Sequence, residues 1–333
     1  MRRTAAAALL ATSALLLAAC GGSSAADPSA AASPSASGAD CPAASPAPVP
    51  TAANPALPTV AGAAGTKPTF TFPASPAPTE LTVQVLTTGT GPIVRTCDQL
   101  VVDYLGQIWN GAVFDNSFDR GEASVFPIGV GQVPPGWDKA LVGLPVGSRV
   151  LAALPPAEGY GTAGQSQAGI KGTDTLVFLI EIKAAYSVDA KAPGGAIPQP
   201  APSTGPQVTG DLTAQPTVTV PAGSPEPTEP TAVVLAKGTG PAVVPGEVIT
   251  RYAMVDWTGK AVESTWDAGV PTTIPVGTKG DGSITYPLQG IPVGSRVLLT
   301  LPGSPANAAT GQAAIPARAV VIDLVAQATV AKQ

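Results

Sequence analysis

Apolar positions along the chain change period at one place, and the change predicts the elements around it. Over residues 129–145, GVGQVPPGWDKALVGLP, the side chains of Trp137, Ala140, Leu141 and Leu144 recur at spacings of three, four and seven. That spacing puts them on one face of a helix. Pro134 and Pro135 suit its entrance, where a missing N–H costs nothing, and Gly143 and Pro145 end it about two turns later. So short a helix is unstable alone and needs a cover for its apolar face. The flanking segments supply one, because they alternate with a period of two. Leu81–Leu86 alternates up to a turn at Gly89–Pro92, and Leu100, Val102 and Tyr104 share one face of the next run. Ser148–Leu154 and Thr175–Ile182 follow as strands, the latter with Leu176, Phe178, Ile180 and Ile182 on one side. One short helix against four or five antiparallel strands predicts a small α+β domain.

The pattern then repeats. PTFTFP at Pro68–Pro73 returns as PTVTVP at Pro216–Pro221, GTGP at Gly89–Pro92 as Gly238–Pro241, and PVGSRVL at Pro145–Leu151 as Pro292–Leu298. Order is kept, and the offset of about 148 residues is one ordinary domain length. A tandem duplication is expected, with domains over residues 61–186 and 208–328 and a Pro/Gly-rich linker over 187–207. Residues 20–60 are dominated by Ala, Ser, Pro and Gly, a composition that buries too little surface to order itself, and are expected to form a disordered tether.

Composition narrows the chemistry. The chain has 38 prolines, 37 glycines and no histidine, which favours strands and turns and excludes Ser-His-Asp, Cys-His and most zinc sites. No metal site and no cofactor are expected. A net charge of -5 with scattered acids argues against a nucleic-acid partner. Aromatic residues are only 5% of the chain, yet Tyr104, Phe114, Phe126, Trp137, Tyr160 and Phe178 all fall on segments around the central helix. Each alone reads as core packing; gathered together they suggest a concave apolar pocket with a polar rim.

The N-terminus reads as a targeting segment over residues 1–19: Arg2 and Arg3, an apolar run over Ala5–Leu16, then Leu17-Ala18-Ala19-Cys20-Gly21. That last run resembles a bacterial lipobox, which implies cleavage before Cys20 and acylation of its thiol. The expected location is outside the cytoplasm, with the cell membrane engaged through the lipid anchor only. In such an oxidising compartment the remaining thiols, Cys41 and Cys97, are more often paired than free.

Seven short motifs in the first repeat carry a family resemblance. They are Val102-Asp103-Tyr104, Gly111 with Val113-Phe114-Asp115-Asn116-Ser117, Val125-Phe126-Pro127-Ile128-Gly129, Val133 with Gly136-Trp137, Val146-Gly147-Ser148-Arg149, Gly159-Tyr160-Gly161 and Leu176-Val177-Phe178. In order and spacing they resemble an FKBP-type peptidyl-prolyl isomerase, over about Leu81–Lys183. The resemblance implies a twisted antiparallel sheet wrapped around one short helix in each of two tandem copies. It makes Trp137 a pocket floor, Phe114, Phe126, Val133, Ile170 and Phe178 its substrate-binding walls, and Tyr104, Asp115 and Tyr160 a polar rim. With Trp137, those three rim residues form the implied catalytic set. Asp115 reads either as a hydrogen-bonding group of that rim or as a turn-capping residue. Two positions depart from the family pattern: Pro134 lacks the backbone N–H that binds ligand there, and Ser124 replaces an aromatic residue. In the second copy Val262, Glu263, Ile284 and Asn307 fall at the places of Phe114, Asp115, Trp137 and Tyr160, so that copy is expected to keep the fold without the pocket. Its Trp257 and Trp266 read equally as ligand-binding or packing residues. The implied function is isomerisation of X–Pro bonds in proline-containing exported or envelope polypeptides by a monomeric lipoprotein, with a macrolide as a further ligand. The alternative is a non-catalytic binding or chaperone lipoprotein on the same fold.

Overall fold

The computed structural model describes residues 53–187, 196–306 and 313–328, all within one compact unit, Ala36–Gln333. The targeting segment, Cys20, Cys41, Asn307 and the expected tether up to residue 52 lie outside the described residues. Cys97 is disulfide-bonded.

Folded structure begins before residue 61. Strands β1 (Thr59–Ala61) and β2 (Thr69–Thr71) form an antiparallel hairpin. Leu57, only 4% exposed, packs with Val60, Phe70, Phe72 and Trp109 on Leu151, Val177 and Leu179. The tether expected to run to residue 60 is therefore too long. Leu57 before the hairpin and Val60 in β1 are large apolar side chains, and Phe70 of β2 with Phe72 just after it gives them partners.

Next come β3 (Thr82–Thr87), β4 (Gln99–Ile108), β5 (Val113–Asn116), the single-turn α1 (Ser117–Arg120), β6 (Ser124–Pro127), α2 (Pro135–Leu141), β7 (Arg149–Leu154) and β8 (Leu176–Tyr186). They form an antiparallel sheet in the order β3-β7-β8-β4-β5, with β6 also on β4. Strand β4 is shared: its C-terminal part, Leu105–Gln107, pairs with β5, and its N-terminal part, Gln99–Val102, with β6. Helix α2 begins on Pro135 as the sequence predicts, and buries Trp137, Ala140 and Leu141 against Val102, Tyr104, Val150, Phe178 and Ile180 of the sheet. Burial of each large side chain contributes roughly 1.5–3 kcal/mol, which offsets the weakness of a two-turn helix. Gly136 lets α2 sit close to β7, because a Cβ there would lie 2.5 Å from Leu154.

A second sheet follows: β9 (Ile197–Pro198), the hairpin β10 (Gln207–Thr209) and β11 (Thr217–Thr219), β12 (Thr231–Lys237), β13 (Gly246–Asp256), β14 (Ala261–Ser264), α3 (Thr265–Ala268), β15 (Thr272–Val276), β16 (Arg296–Leu301) and β17 (Arg318–Gln327). Its order, β14-β13-β17-β16-β12-β9 with β15 on β13, matches the first sheet strand for strand and adds the edge strand β9. Ile197–Pro198 lies within the expected linker, so part of that segment joins the sheet. The central helix expected in the second copy is absent among the described residues: a single 3₁₀ turn, Tyr286–Leu288, stands there. Pro287, at the place of Ala140 within α2, has no N–H for a helical hydrogen bond and would crowd the carbonyl four residues before it, and Ile284, at the place of Trp137, is 53% exposed. The two sheets pack together through Val101, Val125 and Ala184 on one side and Ile249, Val325 and Ala326 on the other. The buried Gln99 amide donates to the Pro271 carbonyl across that contact at 2.6 Å.

Candidate functional site

A cleft of about 330 Å³ opens over α2 of the first sheet. Trp137 forms its base. It is 3% exposed and meets Tyr104, Phe126 and Phe178 edge to face, with ring centroids 5.5, 5.5 and 5.3 Å away. Phe114 reaches the same group through Phe178 at 5.6 Å. These geometries match the preferred edge-to-face arrangement, so the rings hold one another upright and leave the cleft open. The backbone under Phe114 and Phe178 must be glycine. At Gly106 of β4, a Cβ would lie 2.6 Å from Phe114 Cζ and 2.8 Å from Phe178 Cε1.

Val133 and Pro134 line the cleft beside Gly131 and Gln132. Their loop is pinned to the helix, because the Asp138 carboxylate accepts from the N–H groups of Gly129 (2.6 Å) and Gly131 (3.2 Å). Tyr160 stands between two 3₁₀ turns on the opposite lip, 38% exposed. The Lys139–Glu158 pair, 2.6 Å, ties that lip to α2. Ile170 is not among the residues that line the cleft; it packs in the same core cluster as Trp137 and Phe178.

The polar rim is a network. The Tyr104 hydroxyl donates to the Asp115 carboxylate, which also pairs with Arg120. Arg120 donates further to the Tyr104 hydroxyl oxygen at 3.1 Å and to Ser124 Oγ at 2.9 Å. The turn at α1 is capped by Asn116, whose side chain accepts from the Asp119 N–H at 2.7 Å; Asp115 faces the cleft instead. Burial, and then the hydrogen bond to Asp115, push the Tyr104 hydroxyl up to about 12, so it remains a proton donor at neutral pH. Burial and the Asp115 charge raise Tyr160 likewise. Sequence reasoning missed Arg120. Its partners follow from the turn of β5 into α1, for which the sequence carries no signal. No cluster of metal-ligating side chains occurs among the described residues.

This arrangement can be compared with known proteins. A family described as FKBP-type peptidyl-prolyl cis-trans isomerase matches residues 91–183. The FK506-binding protein of Streptomyces anulatus is 33% identical over 119 residues, which cover 35% of this chain and 96% of that protein. The chain belongs to the FKBP-type peptidyl-prolyl cis-trans isomerase family. Peptidyl-prolyl cis-trans isomerase FKBP15-1 of Arabidopsis thaliana is 41% identical over 98 residues, covering 28% of this chain. FkpA of Escherichia coli K12 is 38% identical over 116 residues, covering 34% of this chain and 42% of that protein. The crystal structure of AtFKBP13 aligns at 32% identity and a TM-score of 0.29, over 31% of this chain and 91% of that one. The chain spans 63% of the length of FKBP15-1 and 65% of that of the FK506-binding protein 2 of Dictyostelium discoideum.

In this FKBP-family chain the second sheet keeps the tyrosine–acid pair of the rim without the rings, and Ala268 stands at the place of Arg120. Thr265 Oγ1 accepts from the Tyr252 N–H as Ser117 Oγ does from Tyr104, both at 2.9 Å. The Tyr252 hydroxyl hydrogen-bonds Glu263, the counterpart of Asp115. By strand register Ile274 stands where Phe126 does and Val320 where Phe178 does. Trp257 donates its Nε1–H to the Ser224 carbonyl at 3.0 Å, and Trp266 lies under the guanidinium of Arg251 at 4.4 Å. Both tryptophans are packing residues here.

Proposed function

We propose that this protein isomerises X–Pro bonds by holding the prolyl ring on Trp137 and favouring the twisted amide. Rotation about that bond faces about 18–20 kcal/mol of lost amide resonance. The planar amide carries charge separation that water stabilises, and the twisted one has given it up. A cleft walled by Phe114, Phe126 and Phe178 therefore binds the transition state better than the ground state. Tyr160 donates to the substrate carbonyl, and the Tyr104–Asp115–Arg120 network fixes the rim. The barrier is one of rotation, so the chemistry needs neither nucleophile nor proton relay, in keeping with a chain without histidine. An apolar macrocycle of macrolide type fits the same cleft. The observation that carries this reading is the open cleft above Trp137.

We further propose that the second sheet is a degenerate repeat of the first and that the protein is a monomer anchored outside the cytoplasm through Cys20, acting on exported or envelope polypeptides. The Leu17–Cys20 motif supports the anchor, and the bonded Cys97 suits an oxidising compartment. One observation favours a second reading, a binding protein with little turnover. Pro134, in the cleft wall, has no N–H to offer a substrate carbonyl. The deciding assay follows cis-to-trans conversion of a proline tetrapeptide with the full chain. Acceleration that falls at least ten-fold in Trp137→Leu and several-fold in Tyr160→Phe, with unchanged circular dichroism, supports the isomerase. Tight peptide binding without acceleration supports the binder.

A further inference from the structure

A second groove, about 480 Å³, begins where the cleft ends. It shares Tyr104, Asp115 and Phe126 with the cleft and runs past Ser124 to Glu122, then onto Glu247 of β13 and Thr273 of β15. We infer that a polypeptide seated in the aromatic cleft continues along this groove onto the second sheet, where Glu122, Glu247 and Thr273 select the residues flanking its proline. The inference rests on the isomerase reading and extends it from a prolyl pocket to a longer substrate site.

The cleft has room for the X–Pro pair. Every further residue of an extended chain adds about 3.4 Å and must lie somewhere beyond it. The groove is the continuation on the page because Phe126 is a wall of both. Strand β6 also explains why it persists. Phe126 faces the rings, while Val125, its neighbour, packs with Ile249 and Ala326 of the second sheet. The Gln99–Pro271 hydrogen bond closes the same contact at 2.6 Å. The wall between cleft and groove is thus held from both sides.

Charge sets the preferred occupant. Arg120 is matched by Asp115 and bonded to Tyr104 and Ser124, so its charge is already balanced. Glu122 and Glu247 both line the groove. Burial, and then the Glu122 charge, raise the Glu247 carboxyl, which puts two like charges near one another at this end of the groove. A flanking lysine or arginine fits this end; a flanking acid does not.

The test uses the full chain, Glu247→Gln and Thr273→Arg, with a proline tetrapeptide and with peptides extended by about five residues on each side, flanked by lysines or by glutamates. The tetrapeptide should be turned over equally by all three proteins. For wild type, the lysine-flanked peptide should exceed the glutamate-flanked one in kcat/KM by about two- to five-fold, through KM and less so at high salt, the size of a partly screened ion pair. Glu247→Gln should shrink that ratio, and Thr273→Arg should slow every extended peptide. Unchanged extended-peptide kinetics in both variants overturns the inference, and if Thr273→Arg fails to fold, Glu247→Gln alone decides. Should wild type accelerate no peptide, the isomerase reading falls, and fluorescence anisotropy with the same extended peptides decides the groove. Weaker binding by the variants upholds it, and equal binding overturns it.

Discussion

Gly106→Ala is the smallest change that reaches the rings of the cleft without touching substrate. The added methyl would begin 2.6 Å from Phe114 and 2.8 Å from Phe178, against about 3.5–4.0 Å for carbon atoms at rest, so Phe114 must retreat by about 1 Å and the contact with Phe178 stays strained. Phe178 is 2% exposed and braced edge-on by Trp137 at 5.3 Å, which leaves it nowhere to go. Phe114 is half-buried and swings instead, out over the cleft it walls. Overpacking of this kind costs about 1–3 kcal/mol in stability, and a wall displaced by about 1 Å can cost on the order of a hundred-fold in rate. Urea unfolding followed by circular dichroism reads the first quantity, and cis-to-trans kinetics on a proline tetrapeptide the second. Adding Phe114→Leu removes the nearer of the two clashing rings, so the double variant should regain part of the lost stability while turnover stays low. If Gly106→Ala unfolds at the wild-type urea concentration and keeps wild-type kcat/KM, the rings are not fixed by this strand and the reasoning fails.

Three further predictions concern the rim and the second sheet. Arg120→Gln should lower stability by no more than about 1 kcal/mol, because its ion pair with Asp115 is half-exposed, yet it should raise KM several-fold as Tyr104 and Asp115 lose their common partner. Tyr104 is raised in the folded protein from 10.0 to about 12, so its contribution to stability is complete below pH 10 and is lost as pH rises towards 12. Thermal melts across that range should show the loss, and Tyr104→Phe should flatten it. In the second sheet Arg296 grips Asp323 with Nε at 2.6 Å and Nη2 at 2.9 Å, both side chains buried, while its remaining hydrogens reach the carbonyls of Asp211, Leu212 and Ala214. Asp323→Asn should cost about 3–5 kcal/mol by urea unfolding, whereas replacing both residues by Met and Leu should recover part of that.

Much of this site could be read before the fold was known, and the exceptions have physical reasons. The helix over residues 135–141 and four of the strands beside it followed from apolar period, the flanking prolines and glycines, and β-branched and aromatic content, since both elements must present one greasy face to the same core. Tyr104, Phe114, Phe126, Trp137 and Phe178 could be gathered in advance because a chain poor in aromatics had placed them all on those elements. Arg120 could not, because its partners are set by how sharply β5 turns into α1, and residue type carries no such angle. Ile170, expected in the wall, is not among the residues lining the cleft: hydrophobicity does not separate a lining residue from its neighbours in the same core cluster. The helix of the second repeat failed at Pro287, where a local backbone rule overrode the repeat. Leu57 and the hairpin after it were hidden by the length of the low-complexity run before them.

The central claim is that a prolyl bond twists more readily over Trp137 than in water. Exchange spectroscopy by NMR on a proline tetrapeptide with substoichiometric full-length protein measures this without a coupled protease. The account predicts cis–trans exchange well below the uncatalysed tens of seconds, with intermolecular contacts from the prolyl ring to Trp137 and Phe178. Exchange that stays at the uncatalysed rate while those contacts are present would contradict it.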